Sequence, residues 1–187
     1  MCYTMFNSLP GMPNRIFLVC NPALKVRQRF NRTGKFIRGA LAVDDEHLEW
    51  IKNYFKEICQ DPNYDNFLGI EMIDIKEGTV AFKLAVSNRH CNIYGTVHGG
   101  ILASISDIAM GATCLTLGKS IVTIDLNISY IRNSPKGSML TAVGQLISSG
   151  NSIIRTEGKV FDEQQRLLVV SHASYFITGN FLKNDHS

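Results

Sequence analysis

The sequence predicts an α+β domain in which one long apolar helix packs on an antiparallel sheet of about six strands. Three observations carry this. The stretch Asn92 to Gly118 is a long apolar run of helical period, and between His98 and Leu117 its only charge is Asp107. Four extended stretches follow at regular intervals, joined by the turn-rich links "RNSPKG", "SSGN" and "DEQQ". Two more extended stretches precede the run, joined at Glu77-Gly78. Strands that follow one another with short links pair antiparallel.

Taken in order, the chain opens on a leader. Residues 1–43 hold seven basic residues (Arg15, Lys25, Arg27, Arg29, Arg32, Lys35, Arg38) and no Asp or Glu. The other residues carry 12 basic and 16 acidic side chains, so the domain proper is mildly acidic although the whole chain is formally +3. That balance argues against a nucleic-acid-binding body. Two readings of the leader stand side by side. It is an organelle-targeting segment, being Arg-rich and acid-poor, or a start foreign to the native protein, with Met5 and Met12 as internal starts. Pro10, Pro13, Pro22 and Gly34 interrupt any amphipathic helix there, which favours the non-native or upstream-translated start over targeting, and the extension is expected to be either disordered or a misassigned start. The expected organisation is an extension over 1–43, one domain over 44–180 and a tail over 181–187.

The domain begins with a helix expected over Asp44 to Gln60. Asp44 or Asp45 caps it, and Leu48, Ile51, Tyr54, Phe55 and Ile58 recur at helical spacing. "DPNYDN" breaks the pattern. "FLGIEMIDIKEGTVAFKLAVS" then reads as two strands, with Ile70, Met72 and, more weakly, Asp74 alternating in the first and Val80, Phe82, Leu84 and Val86 in the second. After the apolar run, "SIVTIDLNISYI" sets Val122, Ile124, Leu126, Ile128 and Tyr130 against Thr123, Asp125, Asn127 and Ser129. "SMLTAVGQLISS", "SIIRTEGKVFD" and "RLLVVSHASYFIT" complete the sheet.

The central helix has no charged face. At 100° per residue, Ile101, Ile105, Ile108, Ala109, Ala112 and Leu115 share one arc, with Leu102 at its edge, and suit the sheet. The opposite arc carries Ala103, Ser104, Asp107, Met110, Gly111 and Cys114. Small and apolar residues there predict cover by another body, and a second copy of the chain is the expected one. A membrane span is the competing account, but a mid-run Asp, several Ser, Thr and Gly, and amphipathic strands on both sides argue against it.

Gly99 and Gly100 open the helix at a cost of about 1 kcal/mol each in propensity. Tight packing against a strand is the plain explanation. The chemical one is that glycines leave amide N–H groups uncovered at the positive end of a helix, where they stabilise an oxyanion. Asp107 lies eight residues beyond Gly99, about 12 Å along the axis. One carbonyl cannot readily touch both on one helix. Two helices antiparallel across a twofold axis bring Asp107 of one copy to Gly99 of the other and create two identical sites.

Five cysteines (Cys2, Cys20, Cys59, Cys91, Cys114) without C-x-x-C spacing point to a reducing compartment, hence the cytoplasm, and to no disulfide framework. His90 and His98 lack a third ligand at metal spacing, so neither a metal nor a cofactor is expected.

These residues resemble a known family. "NIYGTVHGGILASISD" followed by "VTIDLNISYIRNSPKG" resembles the hotdog-fold thioesterases of the PaaI-like group over roughly Phe67 to Thr178. The combination carries the resemblance: Asn92 six residues before His98, Asp107 nine after it, and the "DLNISY" strand beyond. The resemblance implies the hotdog fold, a curled antiparallel sheet of about six strands wrapped around one long central helix, and a homodimer, often paired into a homotetramer, that hydrolyses acyl-coenzyme A. It implies Gly99 as the oxyanion-hole donor, Asn92 as a group on the thioester or attacking water, Asp107 as the catalytic carboxylate and Thr123 as its helper. His98 fills a motif position and shapes the loop. Gly100, Tyr130 and the segment Ser148, Ser149, Gly150, Asn151, Ser152 and Ile153 fall where this group contacts substrate. Lys136, Arg155 and Arg132 are further candidates for the coenzyme's phosphates, or plain surface charges. Asp107 as a buried cap across the interface is the non-catalytic alternative. For the whole protein the alternative is an acyl-CoA-binding sensor on the same fold. No nucleic-acid or membrane partner is expected, and the acyl group is left open.

Overall fold

The computed structural model describes residues 18–21, 24–27, 44–60 and 62–183. The chain divides into two compact units, 1–39 and 40–187. In the first, β1 (Leu18–Asn21) and β2 (Leu24–Arg27) form an antiparallel pair with Leu18 opposite Arg27. The remainder of the 1–43 reading lies outside the described residues.

The second unit opens with α1 (Asp45–Ile58), one residue shorter at its start and two at its end than the spacing predicts. Asp44 is its cap, with the carboxylate accepting from His47 N at 2.9 Å, and Asp45 and Glu46 complement the positive end of the helix. Asn63 Nδ2 donates to the Ile58 carbonyl at 2.7 Å and satisfies an acceptor at the helix end. Asn63 then caps a short helix, α2 (Tyr64–Leu68), which Gly69 ends in the left-handed conformation at φ 66°. The strand expected from Phe67 therefore begins only at Ile70. The capping Asn, and a Gly free to take positive φ, favour one helical turn over extension here.

The sheet comprises β3 (Ile70–Lys76), β4 (Thr79–Ala85), β5 (Lys119–Tyr130), β6 (Met139–Ser149), β7 (Ile153–Phe161) and β8 (Leu167–Asn180). Their spatial order is β3-β4-β6-β7-β8-β5, and every pairing is antiparallel. A bulge between Met72 and Asp74 shifts the register of β3, which is why Asp74 alternates poorly. The 17-residue α3 (Gly99–Leu115) links β4 to the far edge strand β5, and the sheet supplies its packing surface.

Two core clusters hold α3 to the sheet. Ile101, Leu102, Ile105, Ala109 and Ala112 pack with Phe82, Leu84 and Leu140, and α1 adds Ile51 and Phe55. Met110 and Cys114 pack with Ile154, Ala173 and Tyr175. This corrects the assignment of Met110 and Cys114 to the partner-facing arc, since both are fully buried within their own chain. Ile108 and Leu115, expected on the sheet side, are only half-buried. A sheet that contacts the helix on two sides narrows the open strip to Gly100, Ala103, Ser104, Asp107 and Gly111, flanked by the half-buried Ile108 and Leu115. Phe181, just past β8 in the expected tail, is buried against Trp50 and Tyr54.

Close approach of helix and sheet depends on Gly144 of β6. A Cβ there would lie 2.1 Å from the Ala109 carbonyl oxygen and 2.6 Å from Thr113 Oγ1. Helix backbone cannot yield as a side-chain end can, so Gly144→Ala is expected to destabilise the fold by about 3 kcal/mol. Chemical denaturation measures this, and an unchanged midpoint would refute the contact.

Candidate active site

Asn92 builds the loop that leads into α3. Its Oδ1 accepts from Tyr94 N at 2.9 Å and Thr96 N at 3.3 Å, and its Nδ2 donates to Thr96 Oγ1 at 3.1 Å. Gly95 closes the turn at φ 74°. Asn133 Nδ2 donates to the same threonine hydroxyl at 2.8 Å, and Val97 N donates to Ser134 O, so the loop is fastened to the segment after β5. His98 N donates to His90 O at 2.8 Å. The His90 side chain is buried, and burial with the neighbouring Arg89 guanidinium holds its pKa below the ordinary histidine value. It thus serves this junction as a neutral group.

His98 is the cap of α3. Its Nδ1 accepts from Gly100 N at 2.9 Å, while its carbonyl accepts from Ile101 N and Leu102 N. These bonds satisfy three of the first four amides. The Gly99 N–H donates to no acceptor among the described residues. Gly100, by contrast, spends its amide inside the cap, so the structure offers one free donor at this helix end where the sequence reading had two glycines. Tyr130 lies over Gly99: its hydroxyl donates to the Gly99 carbonyl at 3.1 Å, and a Cβ on Gly99 would meet its ring at about 3.5 Å.

Asp107 is half-buried on the open strip of α3. Its Oδ1 accepts from Tyr175 OH at 2.9 Å and from Thr123 Oγ1 at 3.4 Å. The Tyr175 hydroxyl also lies 3.2 Å from the Asp107 carbonyl oxygen. Oδ2 has no hydrogen-bond partner among the described residues. Burial, then the Asp107 charge, pushes the Tyr175 phenol above its ordinary value, and the same two causes push the Cys114 thiol up to about 12. Both groups therefore stand protonated beside the carboxylate.

The segment Ser148 to Ile153 forms the β6–β7 turn, closed by Gly150 N donating to Ile153 O at 2.9 Å. Together with Arg155 it lines an open cavity of about 400 Å³. Sheet register connects this turn to the acid: Thr123 stands opposite Tyr175, Tyr175 opposite Ile154, and Ile154 opposite Ser149. Neither Arg155 nor Lys136 pairs with a carboxylate among the described residues, whereas Arg132 is tied to the Leu167 carbonyl at 3.0 Å.

Within one chain the expected residues thus fall into groups. Asn92, His98, Gly99, Gly100 and Tyr130 meet at the helix entry, Asp107 meets Thr123, and Ser148 to Ile153 meet Arg155. Asp107 and Gly99 remain about two turns apart on one rigid helix. Sequence reasoning does not single out Tyr175, Thr96 or Asn133, and it weighs His90 only as a metal ligand. A signal for Tyr175 was present: it is the one large polar side chain in phase with the small inward residues Ser171 and Ala173 of β8.

No helix among the described residues is long and apolar enough to cross a membrane, and these residues contain no cluster of three His, Cys, Asp or Glu side chains. Residues 94–169 match the family model of the thioesterase superfamily. The human protein acyl-coenzyme A thioesterase 13 is 26% identical over 109 residues, spanning 57% of this chain and 78% of its own. A Streptococcus pneumoniae thioesterase solved with coenzyme A superposes with a TM-score of 0.58 at 25% identity, over 59% of this chain and 87% of the other. The Escherichia coli PaaI protein superposes with a TM-score of 0.65 at 22% identity, over 72% and 98%.

Proposed function

We propose that the chain, which matches the thioesterase superfamily over residues 94–169 and shares the fold of solved hotdog thioesterases, hydrolyses the thioester of an acyl-coenzyme A to a carboxylic acid and free coenzyme A. The observation that carries the reading is the free Gly99 N–H at the positive end of α3, on a helix whose only charge is a half-buried carboxylate. The amide binds the thioester oxygen as negative charge develops on it. Asp107 takes a proton from the attacking water as general base, or attacks the carbonyl carbon itself to give an anhydride that water then opens. In either route the carbon–sulfur bond breaks and the thiolate leaves. Oxygen-18 appearing in Asp107 in a single turnover in labelled water marks the second route.

The separation of Gly99 from Asp107 along one helix supports a site shared between two copies. The open strip of α3 and the exposed Val122 and Ile124 of edge strand β5 supply a surface for that pairing. In this arrangement one copy gives the amide and the other gives Asp107, with the β6–β7 turn and Arg155 receiving the polar coenzyme. Two such pairs make the tetramer that the resemblance implies, and the reducing cytoplasm is the compartment proposed.

A panel of aromatic, short and long acyl-coenzyme A substrates, read by a thiol-reactive dye, tests the activity. Release of coenzyme A above background is expected for at least one class. Binding without release across the panel would instead favour the sensor. Mixing Asp107→Ala with Asn92→Ala chains is expected to restore activity in the mixed pair. No recovery despite verified exchange would count against sites built across two copies.

A further inference from the structure

Resting on the thioesterase reading, we propose that Tyr175 is a positioning residue for Asp107, holding Oδ1 with its phenol so that Oδ2 is presented as the reacting oxygen. The phenol rises from β8 beneath the helix and donates to Oδ1 at 2.9 Å. Thr123 approaches the same oxygen from β5 at 3.4 Å. Both donors engage one oxygen, and Oδ2 is left without a partner among the described residues on the open strip of α3.

The two donors differ in rigidity. Thr123 is exposed on the edge strand, whereas Tyr175 is 1% exposed and packed among Met110, Cys114, Ile154 and Ala173. The ring cannot turn away, so the hydroxyl is fixed in place before substrate arrives. Because burial and the adjacent carboxylate keep the phenol protonated, it donates throughout the working pH range. Among the described residues, the titratable groups that face Asp107 are this phenol from β8 and the Cys114 thiol on α3, and both remain neutral, so among these residues no buried cation accompanies the carboxylate. A neutral donor holds the ionised carboxylate without neutralising it, which preserves its reactivity toward water or thioester.

Tyr175→Phe deletes the hydroxyl and keeps the ring. Loss of a hydrogen bond to a charged group is expected to lower kcat about 10- to 100-fold with KM little changed. A role in packing alone would lower the melting temperature and leave the kcat of the folded protein in place. The Asp107 carboxyl carbon, assigned by its absence in Asp107→Asn, is followed by carbon-13 NMR at neutral pH, and its resonance should shift in Tyr175→Phe. Site-specific 3-fluorotyrosine at position 175 keeps the fold and is a stronger donor; it should shift the resonance the opposite way and serves if the Phe variant fails to fold. An active unmodified chain whose Asp107 resonance and kcat are unmoved by both changes overturns the positioning role alone. A chain inactive on every acyl-coenzyme A overturns the function beneath it, and the NMR shift, which needs no turnover, tells the two failures apart.

Discussion

Asp107→Asn is expected to lower kcat on the best acyl-coenzyme A substrate by roughly 100- to 10,000-fold while KM stays within about threefold. The substitution is nearly isosteric, and an Asn oxygen still accepts from the Tyr175 hydroxyl that now meets Oδ1. Fold and substrate contacts are therefore retained, and only the proton-accepting or attacking oxygen is lost. The split between kcat and KM decides between roles. A residue that merely lines the pocket would raise KM, whereas one that acts as charge moves lowers kcat. Steady-state kinetics beside an unchanged melting curve make the measurement, and near-normal kcat would end the case for Asp107 as the working carboxylate.

The second large effect is expected from Gly99→Pro, at about 100- to 1,000-fold in kcat. Proline usually breaks helices, but here the local geometry welcomes it. Gly99 is the first residue of α3, where the missing N–H costs no helical bond. His98 before it sits at φ −66° and ψ 136°, the extended conformation that a following proline favours. The space above Gly99 is bounded by the Tyr130 ring at ordinary contact distance. The variant should therefore fold as the parent does and lack only the donor. Gly100→Ala is the contrasting control. Its Cβ would press on His98 Nδ1 at 3.1 Å while the Gly99 amide stays in place, so it disturbs the cap without deleting the donor. Gly99→Pro with full activity and an intact melting transition would eliminate the oxyanion role of this amide.

Much of the fold was legible because its signals are local. Alternation located β4 to β8, and the uncharged apolar run located α3. What failed was anything set by the sheet as a whole. Phe67 and Leu68 read as strand because a single helical turn leaves no periodicity; only the Asn63 cap and Gly69 reveal it. A helical wheel places Met110 and Cys114 outward because it assumes one flat partner, and this helix has sheet on two sides. For the site, the sequence gathered the chemistry-bearing residues of α3 and its entry loop, since they are consecutive. Tyr175 could not be paired with Asp107 across 68 residues without the register of β5 on β8.

The two margins of the sheet are unequal, and this governs how copies can add to one another. The outer margin of β5 is a twelve-residue strand, whereas that of β3 has seven residues and is broken by its bulge at Ile73. Head-to-tail growth, β5 of one molecule on β3 of the next, would join mismatched partners and run on into a fibre. Growth through β5 alone meets a like strand and consumes the open margin of both molecules at once. In the pairing proposed above, lateral addition along this sheet would therefore end at two copies, because the short, kinked β3 offers no matching margin to a third.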